Sequence, residues 1–68
     1  MATLILEVVR KNHVQDAFEA SGDLDNAAWL REQLRGWLTA NKWAPARWRE
    51  FEMLARERNR GRPVKIRT

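Results

Sequence analysis

Ala27, Leu30, Leu34, Trp37 and Leu38 recur at helical spacing and lay one apolar stripe along a segment from about Leu24 to Asn41. Such a stripe must be buried against another element of the chain. The chain has 68 residues and no cysteine, so neither a disulfide framework nor a cysteine-bound metal can replace a core. A domain of this size buries only about 60% of the surface its unfolded chain exposes. Backbone hydrogen bonds and the four tryptophans, or a partner subunit, must supply the rest of the stability. The composition, 44% hydrophobic and 32% charged, is that of a globular domain rather than a disordered chain. One small domain over 1–68 is expected.

The partner for the stripe is sought in the flanking segments. Thr3-Leu-Ile-Leu-Glu-Val-Val-Arg10 is short and rich in β-branched residues, which predicts a strand. Lys11-Asn12-His13 is polar punctuation, and Asn tolerates positive φ. A second strand over Val14–Ala20 completes a hairpin. A three-residue loop over 11–13 pairs Leu6 with Phe18 and Leu4 with Ala20; a two-residue loop at 11–12 pairs Ile5 with Phe18 and Val9 with Val14. The first register is preferred, and a slip of one residue would move every side chain to the other face. Ser21-Gly22-Asp23 ends the strand, Asp23 is the expected N-cap of the helix, and Asn41 and Lys42 fit its end.

The segment 43–59 admits two readings. As a helix it has Pro45 at its first position and Gly61 beyond its end, with Trp48, Phe51 and Ala55 in a stripe. As a strand it turns Phe51, Met53 and Ala55 inward. Val64-Lys65-Ile66-Arg67 alternates cleanly and needs a strand partner, which favours a hairpin 49–56/62–67. That hairpin would set Glu50 and Glu52 on the face of Lys65 and Arg67. The expected fold is α+β, ββαββ, with one helix packed on a small antiparallel sheet. The alternative is a β-hairpin plus two helices, with 45–59 helical.

Catalytic constellations are absent from the sequence. His13 is the only imidazole, and it sits in a turn with no carboxylates placed to complete a metal site. Ser21, the sole serine, sits where a turn or cap is expected. Asp23-Leu24-Asp25-Asn26 resembles the start of a calcium loop, but Ala28 and Leu34 stand where that loop needs Gly and Glu. Gly22, Gly36 and Gly61 are isolated and make no phosphate cradle. Glu50 and Glu52 read as a solvated pair rather than an acid and a base. No enzyme activity, cofactor, metal or small-molecule substrate is expected.

Charge is more informative. Residues 1–41 hold four basic and six acidic side chains, a balance of −2; residues 42–68 hold nine basic and three acidic, a balance of +6. Arg56, Arg58, Arg60 and Arg62 crowd the expected hairpin tip, with Lys65 and Arg67 following. Such a basic ribbon suits nucleic-acid phosphates or an acidic protein surface. The other unusual feature is the tryptophans. On the helical projection Trp29 lies away from the stripe, in line with Gly36 and Ala40, while Trp43 and Trp48 follow in a loop. Two explanations compete: Trp43 or Trp48 folds back onto Gly36 and Ala40, or that face docks a partner.

The leading expectation is therefore a nucleic-acid-binding module using Arg56, Arg58, Arg60, Arg62, Lys65 and Arg67. The alternative is a protein-interaction module using Trp29, Gly36, Ala40, Trp43 and Trp48: an accessory or inhibitory protein of phage or plasmid type, or a homodimer. No membrane span or secretory signal is read in the sequence, and a cytoplasmic location is expected.

Overall fold

A computed structural model describes residues 2–59 and 61–68. Strands β1 (Ala2–Arg10) and β2 (His13–Gly22) form a hairpin, followed by helix α1 (Ala27–Ala40). A short 3-10 helix (Pro45–Glu50) leads into strands β3 (Phe51–Glu57) and β4 (Val64–Arg67). The four strands make one antiparallel sheet in the order β2-β1-β3-β4. α1 covers one face and the other face is open, which is the ββαββ arrangement.

Strand alternation decides which side chains reach the helix. Leu4, Leu6 and Val8 of β1, Phe51, Met53 and Ala55 of β3, and Ile66 of β4 are buried beneath Leu30, Leu34 and Leu38. Phe18 and Ala20 of β2 extend this layer and are half-buried. Ala27, assigned to the stripe by spacing, is exposed at the first turn.

Both registers considered for the first hairpin occur, at different heights. Leu6 pairs with Phe18 and Leu4 with Ala20, yet Val9 pairs with Val14 and Arg10 with His13. A bulge between Val8 and Val9 reconciles them, because β2 spends one extra residue there. The loop is therefore two residues, Lys11 and Asn12, at φ 53° and 66°. Positive φ at both positions is the geometry that fits the twist of a tight hairpin. Asp16 secures the bulge by accepting the Ala17 amide at 2.8 Å.

The helix begins later than expected. Asp23 is not its N-cap: its carboxylate accepts the Asp25 amide at 2.8 Å and its carbonyl accepts the Asn26 amide, closing a turn ahead of the helix. Asn26 is the cap, its side-chain oxygen accepting the Trp29 amide at 3.1 Å. At the other end the Lys42 amide bonds the Thr39 carbonyl and the Trp43 amide bonds the Leu38 carbonyl. This closure requires a left-handed residue, and Lys42 supplies it at φ 64°.

The ambiguous segment divides between its two readings. Pro45 starts a helical turn, but only to Glu50; Phe51–Glu57 is strand, so the alternative of a helix through 45–59 is excluded. The strands begin at Phe51 and Val64 rather than 49 and 62. Glu50 consequently leaves the face of Lys65 and Arg67, which Glu52 alone shares.

Candidate functional site

The β3–β4 register, Leu54 opposite Lys65 and Glu52 opposite Arg67, sets the geometry of the basic residues. Arg56, Lys65 and Arg67 all project from the open face, beyond the partly covered Ile5 and Leu54. Glu52 lies between two of them, 3.4 Å from Lys65 and 3.9 Å from Arg67. Arg56 leans back on its own turn, its Nη1 3.5 Å and 3.4 Å from the carbonyl oxygens of Glu57 and Arg58. Arg58 is pinned by its backbone, whose amide donates to the Thr3 carbonyl at 2.9 Å. The side chains of Arg58 and Arg62 are exposed at the loop. Arg60 lies outside the described residues.

Two cations join this edge from elsewhere in the sequence. Arg31 donates from Nε to the Arg67 carbonyl at 3.3 Å, and Arg35 from Nη2 to the Thr68 carbonyl at 2.7 Å. They stand one helical turn apart on the flank of α1 above β4. The basic surface is thus a side of the molecule rather than a hairpin tip: Arg31 and Arg35 in the helix layer, Lys65, Arg67 and Arg56 in the sheet, Arg58 and Arg62 in the loop. The signal was present in the sequence as the i, i+4 spacing of Arg31 and Arg35 beside Leu30 and Leu34. Only the strand order shows which flank they occupy.

The start of β3, beside the end of β1, holds a second, internally neutralised group. Glu50 accepts Arg10 Nε and Nη2 at 2.9 and 2.7 Å, and Arg47 Nε at 2.9 Å. Hydrogen bonds from Arg47, then Arg10, hold the Glu50 carboxyl well below its ordinary range, at about 2. Both guanidinium groups also stand over the Trp43 ring, at 5.2 Å for Arg10 and 5.1 Å for Arg47. Arg10 and Arg47 are thereby committed to structure.

The tryptophans do not assemble into one exposed face. Trp43 packs its edge on Phe51 with centroids 4.9 Å apart, and Trp48 donates from Nε1 to the Trp43 carbonyl at 2.9 Å. Trp29 reaches back over Gly22, and Trp37 donates from Nε1 to Asp16 Oδ2 at 2.8 Å. All four are half-buried against the core. Gly36 and Ala40 are exposed, and a β-carbon at Gly36 would meet nothing within 4 Å, so neither Trp43 nor Trp48 folds back on that position.

His13 and Ser21 are exposed at opposite ends of β2. Among the described residues no group of three or more His, Cys, Asp or Glu is arranged to hold a metal ion, and no helix is long and apolar enough to cross a membrane. No protein-family profile, curated protein or solved structure matches the chain.

Proposed function

We propose that the protein is a non-enzymatic, cytoplasmic binding module that takes nucleic acid along the β4 side of its sheet, chiefly through phosphates. The observation that carries this reading is the convergence of Arg56, Lys65 and Arg67 on one face with Arg58 and Arg62 beside them and Arg31 and Arg35 above. Seven cations along one side suit a phosphate backbone in charge, and arginine is suited to bidentate phosphate contact. No aromatic side chain lies on the open face among the described residues, which argues for backbone contact rather than base stacking.

The test is fluorescence anisotropy with labelled duplex DNA, duplex RNA and single strands across a salt series. Binding at low salt is expected to weaken steeply, with a slope of about −0.9 per phosphate neutralised on a duplex. The variant R58A/R62A/K65A should abolish it. Failure of the native protein to bind any of these at low salt overturns the proposal. A protein partner with an acidic surface is the second reading. It is favoured by Glu52, which neutralises part of the same face.

A further inference from the structure

β2 is the other edge of the sheet, and it differs from β4 in every respect that governs strand addition. It has ten residues against four, and neither proline nor lysine interrupts it. Nothing in the sheet lies beyond it. Ala17 gives its amide to the Asp16 side chain and not to β1, so that amide faces the free edge. Alternation along an antiparallel strand then turns the amides and carbonyls of Glu19 and Ser21 outward as well. Such a row of unpaired groups is a template for another strand.

A groove runs beside that template. Its wall on one side is Asp16 and Phe18 of β2, and on the other Glu32, Gln33, Gly36 and Trp37 of α1. Gly36 leaves the helix wall open, and Phe18 and Trp37 provide an apolar floor. A strand added to β2 would drop every second side chain into this groove. Asp16 and Glu32 line it, Glu32 3.7 Å from Arg35, and Glu19 stands exposed on the reverse face of the strand. Asp16 is held in place as a hydrogen-bond acceptor by Trp37 and Ala17.

We propose that β2 is a docking edge for an extended, lysine- or arginine-bearing peptide segment, which pairs with it as a fifth strand. Main-chain bonds to Glu19 and Ser21 supply affinity, the groove takes alternate apolar side chains, and the carboxylates of Asp16 and Glu19 select basic residues. This edge is remote from the basic side of the molecule, so the proposal stands independently of nucleic-acid binding.

The experiment is an amide chemical-shift titration of the full chain with an end-blocked peptide alternating valine and lysine. A length of about eight residues spans the strand at roughly 3.4 Å each. Shifts are expected in residues 16–22 and at Gln33, Gly36 and Trp37. The same peptide with glutamate for lysine should bind at least about tenfold more weakly, a difference of about 1.4 kcal/mol. E19P removes one outward amide and leaves the β1 ladder intact, and it should abolish binding. G36R fills the groove with a cation on a helix that tolerates it, and should do the same even where E19P fails to fold. Equal binding of the two peptides, unchanged binding by G36R, or shifts confined to β4 overturns the proposal. So does a dimer by sedimentation that G36R disperses, since a second copy would then be the occupant.

Discussion

The indole of Trp29 lies so close over Gly22 that a β-carbon at position 22 would overlap its Cη2 atom. The two residues join the end of β2 to the first turn of α1, where the chain passes from sheet to helix. G22A should destabilise the fold by about 1–3 kcal/mol through overpacking. W29A alone should also destabilise it. The double variant G22A/W29A should lose less than the two single losses added, because removing the ring removes the clash. Urea unfolding of the four proteins measures this, and strict additivity would show that the contact does not govern the site.

Glu50 gives the fold a defined acid sensitivity. Its carboxyl in the folded chain is near 2, against an ordinary value of 4.5, because Arg47 and Arg10 hydrogen-bond the ionised form. The folded state therefore binds this proton less readily than the unfolded state. The stabilisation is fully present above about pH 4.5 and is lost as the pH falls through 2. In E50Q the thermal midpoint should lie below that of the native protein at pH 7 and converge with it toward pH 2. A gap that is constant over this range would exclude the ion pairs as its source.

Lys42 closes the C-terminus of α1 in a left-handed conformation at φ 64°. A residue with a β-carbon is disfavoured there by roughly 1–2 kcal/mol, while glycine loses roughly 0.5–1 kcal/mol more backbone entropy on folding. K42G should therefore stabilise the protein by about 0.5–1 kcal/mol, seen as a raised midpoint in urea with an unchanged slope.

Arg31 and Arg35 extend the basic side from the helix, whereas Arg49 is exposed in the 3-10 helix that precedes β3. If nucleic acid follows the β4 side, R31A should reduce the salt dependence of binding by about one unit of slope, and R49A should leave it unchanged. An equal effect from R49A would mean a diffuse electrostatic attachment.

Much of the fold is readable from spacing alone. The β-branched run 3–10, the stripe of Leu30, Leu34 and Leu38, and the alternation at 64–67 each have one natural partner, and together they force a helix onto a sheet. The hairpin register resisted because turn and core make conflicting demands: Lys11-Asn12 suits a two-residue turn, while Leu6 must meet Phe18. An extra residue in β2 satisfies both, and no single register expresses that. The helix start was misplaced because Asp23 and Asn26 are both good caps, and Asp23 is occupied by its own turn. Glu50 was assigned to the wrong neighbours because its partners Arg10 and Arg47 come from a strand end and a helical turn.

The candidate surfaces were less legible, for a reason of geometry. A helical projection gives the angle between Trp29, Arg31 and the buried stripe, but not which strand lies under each flank. Once β2 and β4 are placed at the two edges, the same projection separates the flank of Gln33 and Trp37 from the flank of Arg31 and Arg35. Trp29 also escapes the projection because its long side chain reaches backward along the helix onto Gly22.

The hydrogen bonds from Arg31 and Arg35 to the Arg67 and Thr68 carbonyls make the two edges of the sheet unequal. Head-to-tail polymerisation through strand pairing requires two receptive edges on every subunit, one to donate and one to accept. Here one margin is short, preceded by Pro63, and occupied by guanidinium groups. Any pairing on the long margin therefore leaves the β4 margin closed to a further subunit, and the sheet is a terminus rather than a link in a fibre.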